Sequence, residues 1–133
     1  MIIRFKSPTI LLLLCIFMLI LTSCDPGSKI KYEIVNKTSK TLNIKYQFPG
    51  GPPTEFAAIA ADSNKVIRFT NELGYADDIN RRKDSMYFYS FVVRHGNKIS
   101  RRNFKDKKYW RFKKSSDLEA AYTLIIDDTF FTK

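Results

Sequence analysis

Ten basic side chains fall between Arg94 and Lys114, and Asp106 is the one acid among them. That segment carries +9, against +10 for the whole 133-residue chain. A positive field so concentrated is local and directional, suited to phosphate or carboxylate groups. Arg101, Arg102, Lys105, Lys107, Lys108, Arg111, Lys113 and Lys114 are the expected contact residues; solvated strand faces and turns are the plainer reading of the same run. Phe104, Tyr109, Trp110 and Phe112 are interleaved with them, a pattern that can stack the bases of a single-stranded nucleic acid. Bond-breaking chemistry is poorly provided for. His95 is the one histidine, and Gly96-Asn97 after it place it at a hairpin, where an exposed turn residue is expected rather than a general base. A Ser-His-Asp set would have to recruit it from that turn, and no second histidine or free cysteine exists for a zinc cage. Asp77-Asp78 and Asp127-Asp128 are paired carboxylates, but neighbours along a strand point to opposite faces. Neither pair alone sets two carboxylates across a cleft, as glycoside hydrolysis requires. Asp127-Asp128 with nearby carbonyls offers oxygen ligands for calcium, though solvation at a strand end is the simpler account. No metal and no cofactor is expected.

The N-terminus decides the compartment. Arg4 and Lys6 precede an uncharged apolar run from Ile10 to Leu21, the layout of a secretory signal. The run is short of the roughly 18–20 apolar residues that a spanning helix needs. It ends in Leu21-Thr22-Ser23-Cys24, which resembles the lipobox of bacterial lipoproteins. The resemblance implies cleavage before Cys24, with diacylglycerol attachment and acylation there, and a membrane partner reached through that lipid. Cys15, the other cysteine, would leave with the signal, so no disulfide can form within the mature chain. Export argues against nucleic acid as a partner. Three segments follow: residues 1–23 as signal peptide, 24–29 as lipidated cysteine and short tether, and 30–133 as one domain. Loss of Arg4 and Lys6 leaves 21 bases against 13 acids, a net of +8.

The elements that must position the basic run read as strands. Ile30, Tyr32 and Ile34 alternate with Lys31 and Glu33, and Leu42, Ile44, Tyr46 and Phe48 alternate with polar residues. Asn36 to Ser39 reads as a turn and Pro49 to Pro53 as a break. Phe56 to Ala60 fits either a strand or a helical turn. Val66 to Thr70 reads as a strand with Ile67 and Phe69 inward, and Asp77 to Arg82 as a helical turn. Met86 to Val93 is apolar on both faces, as in a central strand. The His95–Lys98 hairpin leads to a return from Ile99 to Phe104; Tyr109 to Phe112 and Tyr122 to Ile126 complete the set. About seven antiparallel strands with turn signals every 8 to 12 residues predict an all-β fold, a single β-sandwich with Trp110 and most aromatics in its core.

Cys24, Tyr32-Glu33-Ile34-Val35-Asn36 with its Lys/Thr/Ser turn, Asp84-Ser85 before an apolar strand, Trp110, and Tyr122 to Ile126 ahead of Phe130 together resemble small cell-envelope lipoproteins of Bacteroidota. The resemblance implies an immunoglobulin-like β-sandwich and brings no active-site residue. In such proteins surface export goes with several acids after the cysteine; Asp25 stands alone, which favours the outer membrane, facing the periplasm. Asp84-Ser85-Met86 is similar to the O-glycosylation pattern of that group, and Asn36-Lys37-Thr38 fits an N-glycosylation sequon that carries little meaning in a bacterial lipoprotein. The function expected is a non-catalytic binding or accessory module whose basic face meets anionic lipid, glycan or an acidic protein. Two alternatives stand beside it: an envelope polysaccharide hydrolase, and an inhibitor or immunity protein against a secreted toxin.

Overall fold

The computed structural model describes residues 26–54 and 56–132, so Cys24 and the expected signal peptide lie outside the described residues. β1 (Gly27–Asn36), β2 (Leu42–Gln47), β3 (Ala57–Ile59) and β4 (Asn64–Leu73) precede one short helix, α1 (Ala76–Arg82). β5 (Ser90–His95), β6 (Lys98–Ile99), β7 (Trp110–Ser116) and β8 (Glu119–Ile126) follow it. They form two four-stranded sheets, ordered β4-β1-β8-β7 and β3-β2-β5-β6. The fold is an all-β sandwich.

Period-two patterning builds it. Ile30, Tyr32 and Ile34 of β1 and Ala120, Tyr122, Leu124 and Ile126 of β8 point inward from the first sheet. Leu42, Ile44, Ile59 and Val93 meet them from the second, and all share one core. The sequence holds no cysteine after Cys24, so this apolar burial has to offset chain entropy without a crosslink. Aromatic rings fill the centre: Tyr32 stacks on Tyr122 at 5.7 Å and Phe88 on Trp110 at 5.5 Å. The Trp110 indole N–H donates to the Phe104 carbonyl at 2.8 Å, which satisfies its polar edge.

Asn36 fastens the two sheets at one end. Its side-chain amide donates to the carbonyls of Lys40, Ile59 and Ala60 at 2.9–3.0 Å. Its Oδ1 accepts from the Thr38 backbone N–H at 2.9 Å and from the Thr38 hydroxyl at 2.7 Å. The sequon is therefore a buried clamp, with Asn36 and Thr38 both closed to solvent.

Several expectations are corrected. There are eight strands rather than about seven, and they are not all antiparallel: β1 and β8 pair in parallel from Lys29↔Glu119 to Asn36↔Ile126. Phe69 does not face inward. It lies opposite Lys31 on the outer face, because Thr70 pairs with Ile30 and a register shift leaves Ile67 as the extra residue between Arg68 and Val66. Ile67 does pack against the core. Met86 to Val93 is not one strand. Met86 and Phe88 are buried while Tyr87 and Tyr89 project outward, and regular pairing begins only at Ser90. The return after the hairpin ends at Ile99, since the chain then crosses from the second sheet to the first. Phe56 to Ala60 resolves as the short strand β3.

The sheets give the molecule two poles. β1 and β8 start, and β4 and β7 end, at the pole where Pro26 lies. The opposite pole holds the Asn36–Lys40 turn, the β5–β6 hairpin and the 3-10 turn Asp128–Phe131, where Ser100 donates to the Phe130 carbonyl. α1 packs Ala76 and Ile79 inward, with Asp77 and Asp78 in its first turn and Arg81 and Arg82 in its last, matching the helix dipole.

Candidate binding surfaces

The ten-base segment does not stay together in space. Arg94 lies on the second sheet, its guanidinium 4.7 Å from the Phe56 ring centre. Arg102 stands over Phe130 at the pole away from Pro26, and Arg101 precedes it in the exposed crossing. In the crossing, Lys105 receives the Met86 N–H on its carbonyl at 2.7 Å, and the Lys107 ammonium donates to the Asn80 carbonyl of α1. Lys108 pairs with Asp106 at 2.9 Å; the Lys108 backbone N–H and ammonium hold the Asp106 carboxyl below its ordinary value. Lys114 bridges Asp77 at 2.6 Å and Asp117 at 3.2 Å, and its pKa rises for that reason. Three of the eight expected contact residues, Lys107, Lys108 and Lys114, are thus engaged within the chain.

Arg111 and Lys113 remain on the outer face of the first sheet, alternating with the inward Trp110 and Phe112. There they meet bases from a distant part of the sequence. Phe69, Lys31, Ala121 and Lys113 form one row across four strands, and Val66, Glu33, Thr123 and Arg111 the next. Ala121, with only a methyl group, leaves a trough of about 360 Å³ lined by Lys29, Lys31, Lys113 and Ser115, with Glu119 at its end. Lys31 and Lys113 sit two strands apart, about 10 Å. Glu33 is already occupied by Lys31 at 3.2 Å and Asn64 at 2.6 Å. Among the described residues no ion pair holds Lys29, Arg111 or Lys113. Lys29 and Lys31 were legible only as polar positions of an alternating strand; nothing in the sequence placed them beside Lys113.

A second arrangement had no sequence signal. Lys83, directly after α1, buries its ammonium, donating to the Tyr32 hydroxyl at 2.7 Å and to Glu72 Oε1 at 3.1 Å. The Tyr32 and Thr70 hydroxyls also donate to that oxygen, both at 3.0 Å. Tyr122 donates to Asn80 Oδ1 at 3.0 Å. Glu72 and Tyr87 border a groove of about 600 Å³ that includes Phe48, Arg68 and Thr70, and Glu72 and Asp84 line a smaller one of about 340 Å³ beside Lys83.

Burial, and after it the Glu72 charge, raise the pKa of Tyr32 and Tyr122 well above 10.0, and burial alone raises that of Tyr46. A folded-state pKa above the unfolded one gives stability that is complete below pH 10 and is lost as pH climbs further. Two of the seven tyrosines, Tyr32 and Tyr122, should therefore escape spectrophotometric titration near pH 10 and ionise only as the domain unfolds, and Tyr46 should titrate later than an exposed tyrosine. Seven tyrosines ionising together near pH 10 with the fold intact would contradict this packing.

The remaining candidates for chemistry make contacts within the fold. His95 is not an exposed turn residue: it ends β5 with its side chain 14% exposed, stacks on Phe131 at 5.0 Å and lies 3.6 Å from Asp128. The C-terminal 3-10 turn folds back over the hairpin and covers it. Asp78 pairs with Arg81, and Asp127 caps the final turn by accepting from the Thr129 N–H at 2.9 Å. Ser85 is exposed and bridges to Asp106. Among the described residues no cluster of three His, Cys, Asp or Glu side chains is placed to hold a metal ion, and no helix is long and apolar enough to cross a membrane. No protein-family model matches the chain, and no curated protein matches it.

Proposed function

We propose that this chain is a lipid-anchored protein of the bacterial cell envelope, tethered through Cys24 at the outer membrane facing the periplasm. Its sandwich acts there as a non-catalytic binding module for anionic groups. The carrying observation is the row Lys31–Ala121–Lys113, in which unpaired Lys29 and Lys113 join Lys31 in lining one trough, with unpaired Arg111 in the next row. Phosphates or carboxylates repeated along a glycan, or displayed by lipid head groups, fit that spacing. The expected contact surface thereby narrows from the whole Arg94–Lys114 run to Arg111 and Lys113, and gains Lys29 and Lys31. Two packed sheets and a buried Trp110 are in keeping with the finer fold reading, an immunoglobulin-like sandwich; the Bacteroidota lipoprotein reading rests on the sequence resemblance alone. The parallel β1–β8 pair and the missing intersheet disulfide depart from the antibody-domain pattern.

Each basic side chain at an anionic surface contributes about 1 kcal/mol. Lys29→Glu/Arg111→Glu/Lys113→Glu should therefore weaken binding to immobilised polygalacturonate, or to vesicles rich in phosphatidylglycerol, by about a hundredfold at low salt. Lys98→Glu/Arg101→Glu/Arg102→Glu changes net charge equally at the far pole and should leave binding nearly intact. Equal losses from both triples would reduce the effect to net charge and remove the trough as a site. Preference for the glycan or the vesicle identifies the source of the anion.

A further inference from the structure

The pole where the described chain begins carries exposed apolar side chains. Leu73 is 71% exposed, Tyr75 52% and Leu118 40%. All three are tied to the first residues of β1. Gly74, between Leu73 and Tyr75, donates its N–H to the Pro26 carbonyl at 2.7 Å and accepts from the Ser28 hydroxyl at 2.6 Å. Lys29 donates to the Leu118 carbonyl at 2.8 Å, and Ala76 donates to the neighbouring Asp117 at 2.9 Å. Leu73 stands opposite Gly27, which offers no side chain to cover it.

Only Asp25 separates Cys24 from Pro26. Two residues of extended chain reach about 7 Å, comparable with the depth of one head-group layer. A lipid on Cys24 would leave this pole no room to stand clear of the bilayer. We propose that it docks on the membrane, with Leu73, Tyr75 and Leu118 seated in the head-group layer of the leaflet that holds the lipid. The inference rests on the anchor reading above.

The chemistry is interfacial rather than electrostatic. A tyrosine between two leucines suits a layer that is apolar below and wet above. Most local charges are taken up within the chain: Arg81 by Asp78, Lys114 by Asp77 and Asp117, while the Arg82 guanidinium donates to the Leu73 carbonyl at 2.8 Å; the unpaired Lys29 lines the trough on the outer face of the first sheet. Docking should accordingly not depend on anionic lipid. It sets the strands upright on the membrane, with the lysine trough on a side wall and the β5–β6 hairpin about 30 Å out, the length of a ten-residue strand.

The test uses the full chain, expressed in a host that processes lipoproteins and reconstituted in phosphatidylcholine vesicles. Intact mass comes first: loss of residues 1–23 with acyl chains on Cys24 supports the anchor, and a mature chain without lipid overturns anchor and docking together. A lipidated mature chain has no free thiol, so Tyr75→Cys, Leu118→Cys and Asn97→Cys each accept one environment-sensitive fluorophore. Labels at 75 and 118 should shift to the blue and lose about threefold in quenching by aqueous iodide, as expected for groups seated in the interface. The label at 97, in the far hairpin, should do neither, and high salt should change nothing. Equal quenching at all three positions in a lipidated protein would overturn the docking and leave the anchor standing. Release of 75 and 118 by salt would replace interfacial seating with charge attraction, and so overturn it as well.

Discussion

Asn36→Ala should be among the most damaging single substitutions in the domain, costing about 4 kcal/mol. Five hydrogen bonds disappear with the side chain, three of them to carbonyls of Lys40, Ile59 and Ala60. A net contribution of about 1 kcal/mol per bond sets the scale, and stranded buried acceptors add to it. In a domain of this size the melting temperature should fall by about 15–25 °C, measured by thermal unfolding of variant and wild type. Asn36→Asp separates geometry from chemistry. It keeps the shape and replaces two donors by an oxygen facing three carbonyl oxygens. At neutral pH it should be at least as damaging as alanine. Stability should recover partly on acidification, because the protonated acid regains one donor and the native state binds that proton more tightly than the unfolded chain. A loss under 1 kcal/mol for both variants would show that the two sheets are held together without this clamp.

Lys83→Ala should cost about 3 kcal/mol, at the lower end for breaking a buried ion pair. The figure is modest because Glu72 keeps 28% of its side chain exposed and can turn to water, whereas Lys83 keeps only 6%. Part of the loss belongs to cation–π attraction, since the ammonium lies 5.4–5.8 Å from the ring centres of Tyr32, Tyr87 and Tyr122, and part to packing of the buried stem. Lys83→Met restores the stem without the charge and should recover about a third of it. In the Lys83→Met/Glu72→Gln double variant the two losses should overlap by about 1–2 kcal/mol. Urea unfolding of the four proteins gives that coupling directly; strict additivity would mean that the pair is incidental. Added salt should barely change the coupling, because the ammonium is shielded from solvent.

Those two residues show where the sequence was informative and where it fell silent. Ile30, Tyr32 and Ile34, the Leu42–Tyr46 alternation and Tyr122–Ile126 announce their strands because each strand has one buried face, and a period of two records that directly. Phe69 misled for the same reason: a bulge at Ile67 changes the face without changing the pattern. Asn36 looked like a turn residue, and its role depends on carbonyls of Ile59 and Ala60 more than twenty positions away. Lys83 carries no local mark at all, since its partners sit on β1 and β4. The basic run was legible as charge but not as a surface. The crossing from β6 to β7 scatters it, and the trough takes two of its three bases, Lys29 and Lys31, from β1.

The parallel pairing of β1 with β8 has a consequence for how the chain acquires its structure. The strand nearest the start is hydrogen-bonded along most of its length to the strand nearest the end, Glu119–Ile126. Loop-closure entropy across the whole domain must be met before that pairing returns anything, so folding should be slow compared with that of helical domains of equal length. Until the last strand has emerged, β1 has one neighbour in place of two, and β7 has none in its sheet. The first sheet therefore stays incompletely paired until β8 is made, and the order of the strands sets how late it can become native.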